Sequence, residues 1–276
     1  MILAQYTIRS KQDYIFKTNR VLEIIGASEN IARIWEILFE LAECEDVALK
    51  CQREKTKFSW KLVQEQFKKG ELQVVELFCG GGNETVLFDS ESSFKKLNKA
   101  FSSKLLREYP GMIPMVVSVE VTGNYSLDYK NLMKESDLKK NVMIAQDDIF
   151  TVPFAMMDRT TFQPYSRVSH IAGETVRMSE ESYKKYRVGQ SIGNDNKDVR
   201  MFDEMVTSKG KESLLAVVHA DGNNMGTKIM KMLKDESDYN KAVAFMRDFT
   251  TTTAKCFEIE GGEALKACHE QLIEQY

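Results

Sequence analysis

Apolar and polar residues alternate from Ile2 to Ile8, the period of a half-buried strand. Asp13-Tyr14-Ile15-Phe16 follows as a turn or short helix. From about Ser28 to Glu43 the period changes. Ile31, Ile34, Trp35, Leu38, Leu41 and Ala42 recur at i, i+3, i+4, i+7 spacing, which predicts an amphipathic helix with Trp35 in its core-facing stripe. Lys50 to Gly70 is charged and shows no clear period. An apolar run, Leu72 to Phe78, then enters Cys79-Gly80-Gly81-Gly82-Asn83-Glu84, and Thr85-Val86-Leu87-Phe88 leaves it, the pattern of a β-hairpin. Asp89 or Ser90 caps the next helix, with Phe94, Leu97, Phe101 and Leu105 on one face and Lys95, Lys96, Lys99 and Lys104 solvated on the other. Pro110 and Pro114 bracket its exit, and Met115 to Val121 reads as a further strand.

Strand, helix, strand, strand, helix, strand is the split βαββαβ order, which predicts an α+β, ferredoxin-like sheet with helices on one face over residues 1–121. Residues 122–212 are polar, with Pro153, Pro164, Gly189 and Gly193 among charged clusters, and read as a connector or inserted subdomain. Residues 213–276 open a new unit. Leu214 to Ala220 is a buried-strand run ending in Asp221-Gly222-Asn223-Asn224-Met225-Gly226, followed by helices over about Tyr239–Phe257 and Glu263–Glu274. Val243, Met246, Phe249 and Thr253 give the first of these an inward face.

Composition narrows the function classes. Of 276 residues, 43% are hydrophobic and 29% charged, which describes a folded globular chain. A formal net charge of −3 argues against a whole-surface nucleic-acid binder and leaves room for a local basic groove. No run approaches the ~18 apolar residues of a membrane span, and the N-terminus lacks the zones of a signal peptide. Cys44, Cys51, Cys79, Cys256 and Cys268 contain no C-x-x-C pair, so neither a zinc ribbon nor a disulfide framework is suggested. Free thiols in a reducing cytoplasm are the expectation. With only His170, His219 and His269, histidine-rich metal sites are also disfavoured.

Two spots carry candidate chemistry. Glycine lets backbone take positive φ and approach a ligand closely, so the Gly80–Gly82 tip suits either a phosphate or a plain tight turn. Asp221 at a strand end suits a metal ligand or an Asx turn. Ser28 caps its helix or turns its hydroxyl and helix N-terminus toward an anion. Glu84 is read as a surface residue of the outgoing strand or, alternatively, a stand-in carboxylate beside the glycines, Asp147-Asp148 as a solvated pair, and Asp158-Arg159-Thr160-Thr161 as a structural turn.

Asp13-Tyr14-Ile15-Phe16, Leu22-x-x-Ile25-Gly26-Ala27-Ser28, Gly80-Gly81-Gly82-Asn83 and Ala220-Asp221-Gly222-Asn223-Asn224-Met225-Gly226 occur in that order. As ordered landmarks they resemble the large palm-domain (polymerase/cyclase-like) subunit of type III CRISPR effector complexes and its stand-alone relatives. The resemblance implies two facing palms with a nucleoside triphosphate between them. In active members a Gly-Gly-Asp-Asp hairpin and a strand-end aspartate hold two divalent metals, and ATP becomes cyclic oligoadenylate. It implies nucleotide contacts at Ser28, Gly80, Gly81, Gly82, Asn83, Asp221, Gly222, Asn223 and Asn224, with Mg or Mn at Asp221 and ATP as ligand or substrate. Implied partners are a second palm-bearing chain or a second copy, and an RNA effector complex.

Two departures stand out. Gly82-Asn83 occupies the place of the paired aspartates, and Arg9-Ser10-Lys11 the place of a strand-end acid. A second hairpin would have to follow Glu263, so the resemblance implies one degenerate palm, the opening of another, and chemistry that needs a hairpin from outside this chain. The alternative is a non-catalytic nucleotide or cyclic-nucleotide sensor in a defence complex.

Overall fold

The computed structural model describes residues 1–53, 57–80, 82–142, 154–171, 174–195 and 224–275. The first half runs β1 (Ile2–Arg9), α1 (Lys11–Phe16), α2 (Val21–Glu43), β2 (Cys51–Gln52), α3 (Trp60–Lys69), β3 (Val74–Gly80), β4 (Asn83–Phe88), α4 (Glu91–Glu108) and β5 (Ile113–Glu120). These build an α+β fold around one five-stranded sheet of order β2-β3-β4-β1-β5. β1 lies antiparallel between β4 and β5, β3 is antiparallel to β4, and the short β2 pairs parallel with β3 at the edge. The charged stretch without a clear period thus supplies β2 and α3.

Successive strand residues point to opposite faces. Ile2, Ala4, Tyr6 and Ile8 pack with Ile34, Trp35, Leu38 and Ala42 of α2 and Leu97, Phe101 and Leu105 of α4. Trp35 belongs to this core, with its ring 6.5 Å from Tyr6 and 6.4 Å from Phe101. Ser90 caps α4 by accepting from the Ser93 amide.

Leu3, Val75, Leu77, Leu87 and Val117 face the other way, against a second layer of helices. That layer includes α3, α5 (Tyr125–Val142), α7 (Met225–Leu233) and α8 (Tyr239–Ala254). Helices therefore cover both faces, not one. The reason is visible in β3, where Val74, Val75, Leu77 and Phe78 leave neither face polar.

α2 begins at Val21 after an Arg20 cap residue that makes no side-chain cap bond, two turns earlier than the apolar stripe suggested. Arg20 instead pairs with the buried Glu23 at 2.8 Å. Ser28 is consequently an exposed residue inside the helix, neither its cap nor its N-terminus.

The connector folds back onto α2. β6 (Arg167–Ile171) and β7 (Glu174–Met178) form a hairpin, and α6 (Glu180–Asp195) crosses α2 in backbone contact. A Cβ at Gly26 would collide with the Lys185 carbonyl oxygen, and one at Gly189 with that of Leu22. The buried Lys185 ammonium donates to Tyr14 O at 2.6 Å and to Glu181 Oε1 at 2.5 Å, 3.8 Å from the Tyr14 ring centre. Burial lowers its pKa, against the pull of Glu181.

The Asp158 turn forms as expected. Its carboxylate accepts from Thr160 N, Thr160 Oγ1, Ser179 N and Ser182 Oγ. Burial alone would raise its pKa, but bonds from Thr160 and Ser179 outweigh that and hold it low. Asp147-Asp148 lies outside the described residues.

α8 is fixed to the second face by Asp128, which is fully buried and accepts from Thr122 N, Thr122 Oγ1 and, at 2.6 Å, Tyr239 OH. Beyond α8 a π-helical stretch, Lys255–Glu260, leads into α9 (Gly261–Gln275).

Candidate functional site at the glycine hairpin

β3 and β4 pair as far as Gly80 with Asn83, closing a two-residue connection. Such connections need left-handed backbone, and Gly82 supplies it with φ of 71°. Two elements grip the tip. β1 ends at Arg9, Ser10 turns the chain with φ of 49°, and Lys11 opens α1. The Lys11 ammonium donates to Gly82 O at 2.8 Å. Burial lowers its pKa, and the neighbouring Cys79 pushes the other way. A Cβ at position 82 would collide with this ammonium.

From the opposite side α8 lays Thr250 against Gly80, where a Cβ would strike its side chain. One turn earlier Arg247 donates from Nε to Leu77 O at 2.6 Å and from Nη2 to Glu76 O at 2.9 Å. Those carbonyls need donors. β2 pairs with β3 only at Val74 and Val75, and the register shifts between Glu76 and Phe78.

The sheet residues near the tip differ by face. Toward the α8 side, Gln5 stands opposite Thr85 and Thr7 opposite Asn83. Thr85 is 2% exposed, and its Oγ1 has no hydrogen-bond partner among the described residues. Toward α2, Cys79, Glu84 and Tyr6 stand in register. Glu84 is fully buried, so its reading as a surface residue is corrected: it shares the core-facing parity of Val86 and Phe88. Burial, then the Glu84 charge, push the Tyr6 pKa far above its usual value. Arg53 pairs with Glu76 at 2.7 Å, its guanidinium 4.4 Å from the Phe39 ring centre.

Of the residues singled out in the sequence, Gly80, Gly82 and Asn83 come together at this tip. Gly81, Asp221, Gly222 and Asn223 lie outside the described residues, as does the run Leu214–Ala220. Ser28 is exposed on α2, and no described hydrogen bond joins it to the hairpin. Asn224, with φ of 58°, precedes α7. One turn on, the Lys228 ammonium stands 5.9 Å from the ring of Phe249, the chain neighbour of Thr250. Sequence reasoning missed Lys11, Arg247 and Thr250. Lys11 alone had a signal, as a cation just past the first strand.

A divalent ion does not fit the described residues here. The tip carries Gly82 and Asn83, and the carboxylate next to it in β4, Glu84, is buried toward α2. Among the described residues no group of three or more His, Cys, Asp or Glu is placed to hold a metal. No helix among them is long and apolar enough to cross a membrane.

No protein-family model matches the sequence, and no curated protein matches it. Among solved structures the chain is similar to the apo Csm1-Csm4 cassette, with TM-score 0.34 and 15% identity over 51% of this chain and 18% of that one. It is similar to the same cassette in complex with cA4, with TM-score 0.33 and 14% identity, again over 51% and 18%. It is also similar to that cassette in complex with one ATP, with TM-score 0.33, 13% identity and the same coverage. The chain thus spans under a fifth of the length of those chains.

Proposed function

We propose that this chain is a nucleotide-binding, palm-type protein of prokaryotic antiviral defence, whose glycine hairpin receives the polyphosphate of ATP or a related nucleotide. The carrying observation is the tip itself. A left-handed glycine, a half-buried ammonium and a neutral polar row of Gln5, Thr7 and Asn83 converge at one end of the sheet. In support, the order β3-β4-β1-β5, antiparallel throughout, is the arrangement a ferredoxin-like palm requires. In this reading residues 1–121 are the first palm, 122–212 the connector, and 213–276 the opening of a second.

Two-metal nucleotidyl transfer needs carboxylates around its ions, and at the tip of this hairpin Gly82-Asn83 stands where the resemblance calls for an acidic pair. Turnover therefore calls for Asp221 together with an acidic hairpin that the described residues do not supply, as a second palm-bearing chain or a second copy would offer. The chain alone binds without reacting. Calorimetry with ATP, followed by incubation with ATP and Mn²⁺ under a pyrophosphate assay, tests this. Binding without pyrophosphate release is expected. Release by the isolated chain would overturn the partner requirement, and no heat with any nucleoside triphosphate or cyclic oligonucleotide would overturn the reading.

A further inference from the structure

We propose that the outward face of the β6–β7 hairpin, together with the turn that carries Phe162, is a docking surface for an acidic protein partner. This surface shares no residue with the glycine hairpin and stands apart from the nucleotide reading. Side chains of a two-stranded sheet alternate between its faces, and here one face is covered and the other bare. Met178 is fully buried, with Ser169, Ile171 and Val176 half-buried on its side, whereas Val168, His170, Thr175 and Arg177 on the other are exposed. Met156, Pro164, Tyr165, Val168 and Arg177 line an open groove of about 500 Å³, where the Arg177 guanidinium donates to the Met156 sulfur at 3.4 Å. Phe154, Met156, Phe162 and Val168 are all exposed large apolar residues. Scattered singly they would mean nothing, but apolar side chains gathered at a groove mark an interaction site.

Phe162 is held there against its own backbone preference. Its φ of 58° is a conformation that bulky residues rarely adopt, and its amide donates to Asp158 O at 2.9 Å in a turn fixed by the Asp158 carboxylate. With 70% of the residue in water, packing does not account for the ring. Charge selects the occupant. Residues 154–178 contain Arg159, Arg167 and Arg177 and no lysine. Arg167 pairs with Glu180 at 2.7 Å, while Arg159 and Arg177 form no ion pair among the described residues. Asp158 is buried under its own hydrogen bonds, and Glu174 lies at the far end of the hairpin, opposite Ile171. The face is therefore locally positive on a chain of net charge −3, so an acidic surface is attracted here and repelled by the rest of the molecule. A second copy seated face to face would set arginine against arginine. Arginine without lysine, beside phenylalanine, tyrosine and methionine, is the composition of a protein interface.

The test is fluorescence anisotropy of the full chain with three labelled probes: a short peptide of alternating leucine and glutamate, its leucine–lysine counterpart, and oligouridylate. Wild type is expected to bind the glutamate peptide at least about tenfold more tightly than the lysine peptide, the scale of one charge-assisted hydrogen bond. The double variant Arg159→Glu, Arg177→Glu should reverse that preference. Phe162→Gly should weaken binding by about fivefold or more, as loss of an interface anchor does, without lowering the melting temperature, because glycine accepts the left-handed backbone. The reversal carries the test if the glycine variant does not fold. Absence of binding to both peptides, or a preference that the double variant leaves in place, would overturn the inference. So would tighter binding of oligouridylate than of the glutamate peptide, which would make this a nucleic-acid surface. Sedimentation showing a wild-type dimer that the double variant dissociates would assign the face to a second copy and overturn it as well.

Discussion

Tyr6 shows at the scale of one residue what this sheet tolerates. Its hydroxyl is buried without a hydrogen-bond partner among the described residues, beside the buried Glu84. An unsatisfied buried hydroxyl costs about 1–3 kcal/mol. Tyr6→Phe is therefore expected to leave the melting temperature unchanged or raise it, as read by circular dichroism, and a clear drop would mean the hydroxyl is satisfied. Residue-level reading of the sequence succeeded where parity alone decides, as at Trp35, Leu97 and Phe101. It failed at Glu84, because a charged residue was assumed to face water although its strand position faces the core. Lys11 could be noted in the sequence, but its contact with Gly82 spans 71 positions and depends on the left-handed turn at Ser10.

Among elements, the crossing of α2 and α6 is the tightest joint. Gly26→Ala adds about 1 kcal/mol of intrinsic helix preference. It also drives a Cβ into the Lys185 carbonyl oxygen, a backbone atom that cannot rotate away. Overpacking of this kind costs about 1–3 kcal/mol, so the urea midpoint should fall. Ser28→Ala, on the exposed side of the same helix, should stay within about 0.5 kcal/mol of wild type. Equal midpoints for the two variants would show that the helices do not touch there.

The start of α2 was hidden from the sequence because no cap side chain marks Arg20, whereas Ser28 imitates a cap. β2 and α3 were hidden because a two-residue edge strand has no period to read. The hairpin, α4 and β5 were legible, since each is long, patterned and bounded by turn residues.

For the whole molecule, the sheet is a shared floor between two layers of helices, and aromatic residues fill both. Burial, the leading cause in each case, raises the pKa values of Tyr6, Tyr14, Tyr125, Tyr129 and Tyr239. The unfolded chain releases these protons near pH 10, and the folded chain keeps them. Above that pH the native state binds more protons than the unfolded state, so stability falls as pH rises through about 10 and is unaffected by these groups below it. Urea midpoints across pH, with phenolate absorbance followed in parallel, check this. Absorbance from these tyrosines should appear only with unfolding; full ionisation of all ten tyrosines in an intact fold would contradict it. The second helical layer was the least legible large-scale feature. α5, α7 and α8 come from distant stretches of chain, and only the two-sided apolar character of β3 announced that a second face needed cover.

The most direct measurement of the central claim is amide hydrogen exchange with and without saturating ATP, resolved over residues 78–85 and over α1. The account predicts added protection at the glycine hairpin and around Lys11, with the solvent side of α2 near Ser28 unchanged. Saturable ATP binding that protects other segments and leaves the hairpin exchanging as before would contradict it.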